Sequence, residues 1–170
     1  MASGDGGIDF ARISSKGDIE EELKHMAESG RVRKDDLHYI NSVKLMKFFE
    51  SPLGIEMKAA KDRGALYREQ PFVIGVPMRE VIPDSDRDSE VLVQGIIDGF
   101  YETDEGIVLM DYKTDHLDEG QEQVLAERYR TQMELYARAL SGITGRPVIK
   151  MVLYSFSLDK EIELQCGNEE

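Results

Sequence analysis

Residues 91–115 read VLVQGIIDGFYETDEGIVLMDYKTD, and they decide the fold. Two apolar runs, 91–101 and 107–112, flank a turn at Asp104-Glu105-Gly106, the pattern of two antiparallel strands joined by a tight loop. Into these strands the chain sets Asp98, Asp111 and Lys113. Such groups are costly to bury unless they are paired or bind a metal. With an even-numbered loop centred between Asp104 and Glu105, Asp98 lies directly opposite Asp111. Lys113, two residues further on, shares that face. Opposed carboxylates repel by a few tenths to about 1 kcal/mol. A divalent cation between them reverses the sign, and two carboxylates are what Mg²⁺ takes from a protein when phosphate and water complete its octahedron. Lys113 can then orient or deprotonate an attacking water, or balance charge on a phosphate. The residues alone leave a second reading open: an Asp–Lys ion pair at the sheet margin, with Asp98 capping a turn. A bulge at Gly106 would shift the register and weaken the first reading.

Upstream of this stretch, residues 18–61 read as helical. Asp18 with Glu21 forms a capping-box-like start, Ile19, Leu23 and Met26 supply an apolar stripe, and Gly30 suits the stop. A second helix is expected over 35–49, with Leu37, Ile40, Val43 and Met46 at helical spacing. Ser51-Pro52 ends it, and a short helix follows over 54–61. Residues 67–76 read as a strand whose Pro71 indicates an edge or a bulge, and 79–90 as a polar loop. Downstream, a long helix is expected from 119 to 140, ending at Gly142. A strand over 148–157 follows it, and a last one over 162–165 pairs through an Asp159-Lys160 turn. This order predicts an α/β fold with a mixed β-sheet flanked by helices and an N-terminal helical segment. One domain is expected overall: a flexible or artificial lead at 1–7, the helical segment at 8–66, and a core at 67–170.

A chain of 170 residues, 41% hydrophobic and 32% charged, suits one globular domain. It holds no run of about 18 apolar residues and no signal-peptide pattern, so no membrane partner is expected. The single cysteine, Cys166, allows no internal disulfide and fits a reducing cytoplasm. A formal net charge of −13 argues against an independent nucleic-acid binder, because contact with phosphates needs clustered Lys and Arg.

Gly95-Ile96-Ile97-Asp98, then Asp111-Tyr112-Lys113-Thr114-Asp115, then Gln132-Met133-Glu134-Leu135-Tyr136 resemble, in that order, the motifs of the RecB-family branch of the PD-(D/E)XK nucleases. Phe48-Phe49-Glu50-Ser51-Pro52-Leu53-Gly54 and Tyr67-Arg68-Glu69-Gln70-Pro71-Phe72 narrow the resemblance to the C-terminal nuclease domain of AddA-type ATP-dependent helicase–nucleases. The likeness covers roughly residues 8–165. It implies a restriction-endonuclease-like core in which Asp98 and Asp111 are metal ligands, the carbonyl of Tyr112 adds a third, and Lys113 is the catalytic lysine. Gln132 and Tyr136, four apart on one helix face, are expected beside the active site. Glu69 stands where related nucleases carry an accessory acid.

The implied activity is Mg²⁺-dependent (Mn²⁺ as a substitute) exonuclease cleavage of DNA in double-strand-break repair and recombination, in the bacterial cytoplasm. Single strands would be delivered by the ATP-binding helicase part of the AddA-type chain, working with an AddB-type subunit. Such delivery also accounts for the acidic charge. No Walker A sequence occurs here, so the motor would lie outside these residues. One departure stands out: His25, His38 and His116 lack the G-T-x-x-H surroundings of the family's histidine ligand, and each reads as structural or surface. The expectation is a piece beginning just after the histidine helix, with impaired activity. Alternatives are a stand-alone RecB-like nuclease, and a non-catalytic, nuclease-derived structural or protein-interaction module.

Overall fold

A computed structural model of the protein describes residues 13, 15–28, 41–82 and 89–165. The expected lead at 1–7, the expected stop at Gly30 and the expected helix start at Asp35 lie outside the described residues, as do His38 and the side chain of His25. The chain divides into two compact units, Met1–Ala65 and Leu66–Glu170.

In the first unit, helix α1 spans Lys16–Glu28. Its capping box is Ser15 with Asp18, one turn earlier than the Asp18–Glu21 reading. The Ser15 N–H donates to Asp18 Oδ2 at 2.7 Å, and the Asp18 N–H donates to Ser15 Oγ at 3.2 Å. A short hydroxyl suits the N-cap, and an aspartate three residues on reaches back as a glutamate would. Helix α2, Ser42–Glu50, starts at Asn41, whose Oδ1 accepts from the N–H groups of Val43 (3.0 Å) and Lys44 (3.2 Å). Ile13 and Ile19 are buried together against Leu45, Met46 and Phe49. Ser51 then serves two helices: its hydroxyl donates to Phe48 O at 2.6 Å and accepts from Gly54 N–H at 3.1 Å. Helix α3, Pro52–Asp62, begins there with Pro52 in its first turn. Gly54 is required by close packing, since a Cβ there would sit 2.2 Å from Phe48 O.

The second unit runs β1 (Leu66–Pro77), α4 (Met78–Val81), β2 (Glu90–Glu102), β3 (Ile107–Lys113), α5 (Glu122–Thr144), β4 (Val148–Ser155) and β5 (Lys160–Leu164). These strands form one five-stranded sheet in the order β1-β2-β3-β4-β5. Only β3 and β4 pair in parallel, so α5 is the crossover that joins them. The fold is therefore the expected α/β arrangement of a mixed sheet flanked by helices. The short α4 occupies part of the expected loop at 79–90. The 103–106 loop is closed by a bond from Thr103 N–H to Gly106 O at 2.8 Å. Helix α5 passes the expected stop at Gly142, which a helix interior tolerates at a cost of about 1 kcal/mol. It ends where Gly145 turns left-handed (φ 69°) and bonds Ser141 O. Leu125, Met133, Tyr136 and Leu140 of this helix are buried with Leu109 and Leu153 of the sheet. Burying a side chain of this size contributes roughly 1.5–3 kcal/mol. Among the described residues, no helix is long and apolar enough to cross a membrane.

The β1–β2 ladder is interrupted at one point. Arg68 pairs with Gly99 and Gln70 with Ile97, but Glu69 and Asp98 between them do not pair. Glu69 has a left-handed backbone, φ 50°. Ile97 and Phe100 lie in the same core cluster although they are three residues apart. In an uninterrupted strand they would face opposite sides. The strands thus reverse facing across Glu69 and Asp98 while keeping register, a local irregularity that re-aims a side chain as a bulge does. The β2–β3 ladder keeps its register next to Gly106, while β3 and β4 shift register between Ile107 and Val108.

Candidate active site

The β2–β3 ladder runs from Glu102↔Ile107 to Gly99↔Met110 and stops. The next position in that register sets Asp98 opposite Asp111, as the loop length predicts. Beyond the ladder's end Asp98 Oδ2 accepts the Tyr112 N–H at 3.0 Å. Lys113 ends β3, and its Nζ lies 2.5 Å from Asp111 Oδ2. The Asp–Lys ion pair is therefore real, but Asp98 caps no turn and joins the group instead. Asp111 is 3% exposed, and its Oδ2 accepts no aligned hydrogen bond despite the close ammonium. Burial raises the Asp111 carboxyl first, and the Asp98 carboxyl within hydrogen-bonding range adds to it. Lys113 pulls the other way without prevailing, so Asp111 is pushed up to about 7.

Helix α5 supplies the other wall. Gln132 Oε1 accepts from Lys113 Nζ at 3.1 Å, and Gln132 Nε2 donates to Tyr136 Oη at 2.8 Å. Burial pushes the Tyr136 phenol up, and the charge of Asp111 adds to the shift. One turn before Gln132, the Tyr129 ring lies under Lys113, with Nζ 3.6 Å from the ring centroid. The Tyr129 hydroxyl donates to Asp115, 3.1 Å from Oδ1 and 3.0 Å from Oδ2, and Arg128 pairs with the same carboxylate at 2.6 Å. Burial acts to raise Asp115, but these hydrogen bonds outweigh it and hold the carboxyl below its usual range. The Tyr129–Asp115–Arg128 arrangement is not anticipated from the sequence; Tyr129 also packs against the core cluster. The available signal was its spacing of three from Gln132, on the same helix face.

The structure thus brings together Asp98, Asp111, Lys113, Gln132 and Tyr136. Tyr112 contributes backbone. The Phe156 N–H donates to the Lys113 carbonyl on the β4 side. Strand groups alternate in direction, so the N–H and carbonyl of Tyr112 both point towards β2, where Asp98 takes the N–H. Glu69 occupies the register position opposite Asp98, but its side chain is exposed. His116 is exposed as well. Among the described residues, no group of three or more His, Cys, Asp or Glu side chains gathers to hold a metal. Two acids do meet, one buried and paired with the Lys113 ammonium. That donor set fits a hard cation that keeps most of its waters, as Mg²⁺ does.

Residues 13–167 match the family described as the PD-(D/E)XK nuclease superfamily. The chain is 36% identical, over 191 residues, to an ATP-dependent helicase/nuclease subunit of Lachnoclostridium phytofermentans, covering 93% of this chain and 14% of that protein. The protein of the same name from Clostridium beijerinckii is 40% identical over 161 residues, with 92% and 13% covered. This chain therefore spans about one-seventh of the length of these relatives. The solved crystal structure of SSO0001 aligns with a TM-score of 0.43 and 15% identity, covering 94% of this chain and 65% of that one.

Proposed function

The chain belongs to the PD-(D/E)XK nuclease superfamily, and from that premise we propose that it is the nuclease module of an AddA-type helicase–nuclease. Its reaction is then Mg²⁺-dependent exonuclease hydrolysis of DNA phosphodiesters in double-strand-break repair and recombination, with Mn²⁺ as a working substitute. Residues 67–170 form the nuclease core in this reading, and 8–66 its helical segment. DNA strands come from the helicase part of such a protein, an AddB-type subunit is the partner, and the compartment is the bacterial cytoplasm.

The observation that carries the reading is the meeting of the Asp98 and Asp111 carboxyls beside Lys113, with Asp111 buried. Asp98, Asp111 and the Tyr112 carbonyl are the groups that hold the cation. Bound there, it supplies Lewis acidity towards a phosphate oxygen and a more acidic water. Asp98 is oriented in advance by the Tyr112 amide. Lys113 balances charge on the phosphate or orients the water, steadied by the Gln132 oxygen, and Gln132 is in turn fixed by Tyr136. Glu69 remains a candidate accessory acid on the neighbouring strand. With two carboxylates and no histidine among the described ligands, cation affinity should be modest.

Calorimetry with Mn²⁺ on the native chain and on Asp111→Ala tests the metal site. The expected result is a binding heat that the substitution removes. Equal heats, or none in either protein, would favour a non-catalytic structural module.

A further inference from the structure

We propose that Tyr129 is a positioning residue for Lys113: its ring face holds the ammonium beside the acid pair, and Asp115 and Arg128 fix the ring. For its effect on catalysis this rests on the nuclease reading above; the placement stands on geometry alone. Lys113 Nζ lies 2.5 Å from Asp111 Oδ2, 3.1 Å from Gln132 Oε1 and 3.6 Å from the Tyr129 centroid. Only the first is a carboxylate that a divalent cation competes for. A cation on Asp111 draws off the charge that attracts the ammonium and also repels it directly. Lysine is a point charge on a flexible four-carbon stem, so it moves away unless other contacts retain it. Tyr129 and Gln132 are both neutral, and attraction to a ring face survives the cation's arrival.

The shelf is itself anchored. Tyr129 donates to both oxygens of Asp115, and Arg128 Nη1 lies 2.6 Å from Oδ1. Asp115 stands two residues after Lys113, so one short stretch of chain carries both the lysine and the anchor of its support. Arg128, Tyr129 and Gln132 all belong to α5, so a single rigid element sets the shelf's distance from β3. An anionic acceptor on the phenol also enriches the ring face that meets the ammonium.

Two readouts test this on the native chain, Tyr129→Phe, Tyr129→Leu and Asp115→Asn. In side-chain NMR with and without Mg²⁺, the Lys113 Hε resonances should be shifted upfield by the ring current in the native chain, and by less in Tyr129→Phe, which keeps the ring but loses its bond to Asp115. They should lose that shift in Tyr129→Leu and part of it in Asp115→Asn, a surface change that leaves the core intact if Tyr129→Leu folds poorly. In cleavage of single-stranded DNA with Mg²⁺, Tyr129→Leu should lower kcat about tenfold with KM within about twofold, and Tyr129→Phe should restore most of it. An unshifted Lys113 in the native chain overturns the placement, as does a full native shift in Asp115→Asn for the anchor. A native kcat in Tyr129→Leu overturns the positioning role. A native chain that cleaves nothing instead overturns the nuclease reading, while the Lys113 resonances still decide the placement.

Discussion

Burial and the nearby Asp98 carboxyl push Asp111 up to about 7, so the folded protein keeps a proton that the unfolded chain releases near pH 4. Between those values the native state binds more protons than the unfolded one, and its stability must fall as pH rises. The contribution of Asp111 is complete below about pH 4 and lost as pH passes about 7. Asp111→Asn removes this titration. Urea unfolding at pH 5 and pH 8 should therefore show the substitution gaining on the native chain at the higher pH. A native chain that gained on the variant as pH rose would mean that Asp111 is not held protonated. At this scale the acid pair and Lys113 were legible, because three charges in apolar strands have few uses. Tyr129 was not, because an aromatic residue on a helix face looks the same whether it fills a core or carries a lysine.

Between elements, loop length and strand alternation were enough to give the register of β2 on β3 up to Gly99↔Met110 from the sequence alone. The helix ends were harder. Ser15 and Gly145 outcompete Asp18 and Gly142 because a cap needs particular backbone geometry, and several residues nearby satisfy the composition rule. Pro71 marked this strand as an edge or a bulge, and β1 is an edge strand with an interruption nearby, but nothing in YREQPF points to a left-handed backbone at Glu69 itself. It has a measurable consequence. Valine normally stabilises a strand relative to glycine, by up to about 1 kcal/mol. At φ 50° a β-branched residue is strained and glycine is not. Glu69→Gly should thus be more stable than Glu69→Val, by about 1–2 kcal/mol in urea unfolding. The opposite order would show a regular β1 at that position. Such strain persists where the surroundings enforce it, and here it sits directly across from Asp98.

Across the whole molecule, order of elements predicted the mixed sheet, because helices, three strands, a helix and two strands leave few ways to bury their apolar faces. The charge of −13 constrains function more than fold. In the proposed nuclease reading, this charge and two carboxyls beside one lysine disfavour a phosphate, and a bound cation would offset both. This makes cation dependence the most direct test. Cleavage of an end-labelled single-stranded DNA should be followed with millimolar Mg²⁺ or Mn²⁺ and with EDTA, for the native chain and Asp111→Ala. The predicted result is cleavage by the native chain that EDTA abolishes and that Asp111→Ala slows by about 100-fold or more. Cleavage that survives in Asp111→Ala, or a native chain inert at every cation concentration, would contradict the assignment of this acid pair and lysine as a nuclease site.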